Sequence, residues 1–280
     1  MKIIETHLIT NEVKRLCIEA ATIIEDDVLN EIRRASNNEC GLAKSILEQI
    51  IENDELAKNE NIPMCQDTGI TIVFVELGNE VFINGSLYDA INEGVREGYL
   101  EGYLRKSVVK SPLNRINTKD NTPAIIHVKL VMGDTLKITV CPKGAGSENM
   151  SKVKMLLPAD GIKGIEDFVV DTIKEAGGRA CPPLIVGVGI GGDLEKCALL
   201  AKEALLRDIN DSSSDSDVKK LEDDLLVKIN STNIGPMGLG GNTTAFKVKV
   251  NTYPCHIASL PVAVNIQCHA SRHKVVILWL

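Results

Sequence analysis

Residues 10 to 36 alternate apolar and charged positions at helical spacing, with Thr10 or Asn11 placed to cap the start. A second helical stretch runs from about Gly41 to Lys58. Asn61-Ile62-Pro63-Met64-Cys65-Gln66-Asp67-Thr68-Gly69 then breaks the pattern, because Pro63 bars Ile62 from helix geometry and Gly69 opens backbone angles closed to other residues. The apolar run Ile70 to Val75 predicts a strand, and a further helix is expected from Leu87 to Leu104. Two β-branched runs, Ala124–Val131 and Thr135–Val140, flank Met132-Gly133-Asp134 and read as a hairpin. Helices are expected over 165–176 and from Asp193 to Arg207, with a solvated insertion over 208–217 and helical pattern resuming at Val218. Alternation at Phe246, Val248 and Val250 marks a late strand. The whole is a mixed α/β (α+β) chain with helices packed on sheets and antiparallel hairpins.

Length and charge narrow the function classes. A chain of 280 residues, 44% apolar and 25% charged, can bury a sizeable core. Its net charge is −7 and no lysine or arginine block appears, which argues against nucleic acid. The N-terminus lacks the apolar run of a signal peptide, and no segment reaches membrane-spanning length. A cytoplasmic protein without a membrane partner is the expectation.

Eight cysteines are many for such a chain, and in a reducing compartment disulfides are not expected of them. No Cys-x-x-Cys pair exists, which excludes a zinc ribbon or a bacterial ferredoxin pattern. Buried apolar thiols or metal ligands gathered from distant loops remain. Cys17 and Cys197 sit among apolar helical neighbours and read as core, and Cys40 as a bystander at a helix start. Cys65, Cys181 and Cys268 each stand where a turn meets an apolar run, with Pro, Gly or His nearby. Separations of 116 and 87 residues suit ligands gathered by a fold. The loop Asn61–Gly69 alone reads equally as a polar turn with a half-buried thiol or as a metal-ligating sulfur beside groups that bind substrate.

Two glycine-rich stretches invite an anion. Lys143-Gly144-Ala145-Gly146-Ser147 offers closely spaced amides and a cation, or is a plain flexible turn. Gly187, Gly189 and Gly192 fit the G-x-G-x-x-G spacing between a strand and a helix, yet the acidic residue expected about twenty positions on falls in a polar loop. Nucleotide binding is therefore disfavoured, leaving a helix N-terminus with amides able to hold a carboxylate.

Taken together, Ile62–Gly69, Lys143–Asn149, Cys181-Pro182-Pro183 with Gly187–Gly192, and Asn265-Ile266-Gln267-Cys268-His269-Ala270 resemble the iron–sulfur hydro-lyases, class I fumarase and L(+)-tartrate dehydratase. The resemblance spans nearly the whole chain in order. It implies a single α-subunit domain over 1–280, equivalent to the N-terminal domain of the single-chain enzymes. By motif it implies Cys65, Cys181 and Cys268 as ligands of a [4Fe–4S] cluster with one open iron, and Cys141 as a decoy or an alternate ligand. It further implies Gln66 and Asp67 as a substrate-contacting pair and His256, twelve residues before Cys268, as the partner of Asp67 in proton relay. Arg105 would clamp a carboxylate of a small dicarboxylate, and Gly144 and Gly146 lie in a turn whose amides hold substrate. The family's base threonine, its lysine and its remaining arginines belong to a C-terminal domain absent from this sequence, so a β subunit of that type is implied as partner. Hydration of fumarate is the expected reaction, with tartrate dehydration as the alternative. An electron carrier would want four cysteine ligands.

Overall fold

A computed structural model describes residues 2–279. The chain opens with strand β1 (Lys2–Glu5) and helix α1 (Thr6–Thr22), followed by α2 (Asp26–Asn38) and α3 (Gly41–Glu60). Strands β2 (Ile70–Gly78) and β3 (Val81–Asn84) precede α4 (Leu87–Glu101), and β4 (Ile125–Val131) and β5 (Leu136–Lys143) follow it. One turn of helix, α5 (Ala145–Glu148), leads to β6 (Lys152–Leu156) and α6 (Gly161–Ala176). Then come β7 (Leu184–Gly191), α7 (Leu194–Ala204), α8 (Ser216–Asn230), β8 (Ala245–Tyr253), β9 (Leu260–Gln267) and β10 (Lys274–Leu278).

The expected helix over 10–36 is two helices. Its start lies at Thr6, and the Thr10 hydroxyl bonds the Ala90 carbonyl of α4 (3.0 Å) instead of capping. The break follows Thr22-Ile23-Ile24, a β-branched run poor at helix, after which Asp26 and Asp27 supply first-turn carboxylates for α2.

Two compact units divide the chain: Met1–Glu25, Asn53–Ala145 and Arg272–Leu280 form one, Asp26–Glu52 and Gly146–Ser271 the other. The first unit carries a four-stranded sheet in the order β10-β5-β2-β4. The hairpin read from Met132-Gly133-Asp134 does not form. β2 inserts between β4 and β5, parallel to one and antiparallel to the other. Its end docks into the turn, with Gly78, Asn79 and Glu80 amides donating to Thr135, Val131 and Gly133 carbonyls at 2.9, 2.9 and 3.0 Å. Burial explains the choice, since Ile72, Val73 and Val75 are all buried and a central strand covers both faces. Helices α1 and α4 pack closely enough that a Cβ on Gly94 would stand 2.6 Å from the Thr10 carbonyl oxygen. Val13, Leu16, Cys17, Ile91 and Val95 fill that seam above the sheet.

In the second unit a sheet in the order β6-β9-β7-β8 packs against α6, α7 and α8. The glycines of β7 are explained by packing. A Cβ on Gly187 would lie 2.1 Å from the Ala201 carbonyl oxygen, and one on Gly189 would lie 2.0 Å from that of Cys197, so α7 rests on the strand backbone itself. The amides expected free at the start of α7 are partly taken, because the Asp193 carboxylate caps the helix by accepting from the Lys196 amide (2.7 Å). The loop read as a solvated insertion is anchored from below: buried Lys249 donates to the Ile209 carbonyl (3.0 Å) and also reaches that of Asp211.

Candidate active site

In the first unit the site is a turn held on every side. Met64 is buried, donating its amide to the Ala21 carbonyl (3.0 Å) and accepting from the Asn53 side chain (2.9 Å). That anchorage leaves Cys65 half-buried and Gln66 exposed. The Asp67 amide points at Cys65 Sγ (3.4 Å), and the thiol faces Gln66 Oε1 (3.9 Å). The Asp67 carboxylate accepts from the Gly69 amide through Oδ1 (3.0 Å) and from the Ala145 amide through Oδ2 (2.8 Å). Its direction is thus fixed by backbone donors.

Behind the turn, the hydroxyl of fully buried Tyr99 lies 2.7 Å from the Thr68 carbonyl, and the Thr68 hydroxyl donates to the Arg105 carbonyl (2.9 Å). Asn121, also fully buried, donates to the Gly69 carbonyl (3.2 Å) and accepts from the Ser107 and Val108 amides (2.7 and 3.3 Å). Arg105 is thereby placed next to the turn through its backbone while its side chain stays exposed. Gly69, at φ +76°, passes so close to β5 that a Cβ would lie 2.7 Å from the Lys143 backbone. Gly144 follows, with Asp67 Oδ2 and Arg272 Nη2 each 3.2 Å from where its Cβ would be.

The second unit presents the other two thiols of the expected set. Cys181 ends a 3-10 turn in the left-handed region (φ 54°, ψ 64°), its amide donating to the Gly178 carbonyl (3.1 Å). Its carbonyl accepts from the His269 amide (3.2 Å), which ties the Cys181 turn to the Cys268 loop. The Cys268 thiol faces the Ala270 carbonyl (3.8 Å), which also accepts from the side chain of buried Gln267 (3.0 Å). Gly146 lies near Arg179, whose carbonyl oxygen is 3.4 Å from where a Cβ would be. His256 is on an exposed loop, its Nδ1 accepting from the Ala258 amide (3.1 Å). Asp67 and His256 therefore belong to different units, and each has its own backbone partners.

Exposure sorts the eight thiols. Cys65, Cys181 and Cys268 are half-buried, Cys17, Cys141 and Cys197 are buried, and Cys40 and Cys255 are exposed. Burial pushes the Cys17 thiol up to about 12 and raises that of Cys197, so both stay protonated, as core thiols should. Cys141 sits in β5 opposite Ile72. Among the described residues no group of three or more His, Cys, Asp or Glu side chains is gathered at metal-binding distance. The donor set nonetheless fits an iron–sulfur cluster in kind: three soft thiols, none locked in the core, each held on a hydrogen-bonded turn.

The sequence reading missed Tyr99, Asn121 and Arg272, which hold the turn from behind. No motif marks them; the one sequence signal is an arginine two residues past the last motif. It also missed Glu39, a buried carboxylate in the second unit that accepts from the Asn242 and Thr243 amides (2.7 and 2.6 Å).

A sequence profile described as Fumarate hydratase (Fumerase) matches residues 10–277. A Methanocaldococcus jannaschii protein provisionally named L(+)-tartrate dehydratase subunit alpha is 45% identical over 277 residues, covering 95% of this chain and 96% of the relative. The L(+)-tartrate dehydratase subunit alpha of Escherichia coli K12 is 30% identical over 265 residues, covering 90% and 84%. No helix among the described residues is long and apolar enough to cross a membrane.

Proposed function

The chain belongs to the fumarate hydratase family, whose members are hydro-lyases, and from that premise we propose that it is the cluster-bearing α subunit of a two-subunit enzyme hydrating fumarate to L-malate reversibly. The observation that carries this reading is the sorting of thiols: the three cysteines standing at the family's motif positions are the three that are half-buried. Cys65, Cys181 and Cys268 would hold a [4Fe–4S] cluster, which when bound supplies an open iron as Lewis acid toward the substrate's hydroxyl and carboxylate.

The remaining work falls to this chain's own side chains. Arg105 presents an exposed guanidinium able to take a substrate carboxylate bidentately. Gln66 adds an exposed amide that orients the same ligand, and the Gly144–Gly146 turn lines it with backbone. Asp67, pinned by the Gly69 and Ala145 amides, would exchange a proton with the substrate, and by the motif resemblance His256 would be its relay partner. A β subunit of the fumarase C-terminal type completes the acid–base set, in line with the alpha-subunit names of the relatives.

L(+)-tartrate is the second reading, favoured by those same names. Anaerobic purification with iron and sulfide counts, then turnover of L-malate and L-tartrate by the chain mixed with its β subunit, tests both. The reading expects cluster absorption and malate turnover only in the mixture. A tenfold preference for tartrate in kcat/KM, about 1.4 kcal/mol of transition-state binding, would select the second.

A further inference from the structure

We propose that Arg272 is the positioning residue of Asp67. Its guanidinium is 2% exposed and donates from Nη1 to the Asp67 carbonyl at 2.7 Å. Its Nη2 faces the Asp67 carboxylate across Gly144, each 3.2 Å from the place a Cβ would occupy there. One side chain thus reaches the backbone of Asp67 and the space beside its acid group.

The bonding pattern points to a role beyond holding the fold. Burying a guanidinium on a single carbonyl is costly, and its Nε has no hydrogen-bond partner among the described residues. A neutral donor such as glutamine would make the same carbonyl bond without that cost. Nor is the cation spent on an ion pair with the carboxylate, whose oxygens are bonded to the Gly69 and Ala145 amides. Asp67 is therefore held from three directions, by its own turn, by the first residue of α5 and by Arg272, two residues ahead of β10. Its acid group is oriented before substrate arrives and stays free of a side-chain partner that would compete with substrate. Gly144 suits this arrangement, since a Cβ there would require the guanidinium and the carboxylate each to give by a few tenths of an ångström.

Two variants and two readouts test it. Arg272→Met keeps the apolar stem and loses every donor, while Arg272→Lys keeps one donor to the carbonyl. Amide hydrogen exchange on the metal-free chain is the first readout. In Arg272→Met the Gly69 and Ala145 amides, which hold the carboxylate, should exchange about tenfold faster or more, with Val73 and Val140 in the central strands unchanged and Arg272→Lys intermediate. The second readout is L-malate turnover by the cluster-loaded chain with its β subunit, where kcat should fall by about 10- to 100-fold and KM stay within about twofold. The kinetic arm rests on the proposed hydro-lyase function and the exchange arm does not, so an inactive wild-type mixture sinks that function and leaves exchange to judge Arg272. Wild-type protection at Gly69 and Ala145 would overturn the proposal. So would equal loosening of Val73 and Val140, which would make Arg272 a fold residue, or a raised KM with kcat kept, which would make it a substrate ligand.

Discussion

Gly69→Ala probes the closest approach in the candidate site. At φ +76° an alanine pays about 1–2 kcal/mol for the left-handed backbone. Its Cβ would also stand 2.7 Å from both the N and the carbonyl C of Lys143 and 2.8 Å from the O. Ordinary carbon contacts need about 3.5–4.0 Å, so something must retreat by about 1 Å. Lys143 cannot yield cheaply, because it is the register partner of Ile70 at the end of the β2–β5 ladder. Overpacking of that kind costs about 1–3 kcal/mol, for a combined cost of about 2–5 kcal/mol. The retreat would also carry Ala145 away from Asp67 Oδ2 and loosen the carboxylate. Amide exchange of Val73 and Val140, paired in that ladder, should report the loss as about 30-fold faster exchange or more. Gly41→Ala is the control: φ there is +55° but nothing lies within 4 Å, so Val186 and Ile266 of the second unit should loosen by only the left-handed cost, about tenfold. A change in Gly69→Ala no larger than the control's, about tenfold, would refute the close-approach argument.

Three further outcomes are expected. Replacing Cys181 by Ser should abolish iron incorporation during anaerobic reconstitution while Cys17→Ser leaves it intact, and iron retained in Cys181→Ser would remove that residue from the ligand set. Asp54 is buried and its carboxyl is pushed up to about 6 from 3.8, mainly by desolvation. The folded state therefore holds that proton between the two values, and stability falls as pH rises through this window and stays lower above it. Asp54→Asn should then stabilise the chain by up to about 3 kcal/mol at pH 8 and little at pH 4, as read by urea titration at both; equal gains at the two pH values would exclude the titration as cause. Glu39→Ala strands the Asn242 and Thr243 amides and the Thr243 hydroxyl, all now bonded to Oε1 at 2.6 to 2.8 Å, and should cost about 3 kcal/mol or more; a urea-measured loss under about 1 kcal/mol would show that the segment at Asn242 and Thr243 does not depend on it.

Local chemistry was legible in the sequence. Pro63 and Gly69 announced the turn that carries Cys65 and Asp67, the apolar neighbours of Cys17 and Cys197 marked them as core, and Asp193 stood where a helix begins. These are properties of a few adjacent residues, set by fixed φ, missing Cβ atoms and side-chain periodicity. Non-local pairing was not legible. Met132-Gly133-Asp134 has a hairpin's composition, but β2 takes the place between β4 and β5, and only comparison with strands far away in sequence decides that. The glycines of β7 had the spacing of a phosphate loop, and only the approach of α7 shows that they make room for a helix. Arg272 and Asn121 carry no motif either. Their weight comes from which carbonyls the tertiary fold brings within reach of buried donors: that of Asp67 for the guanidinium and that of Gly69 for the amide.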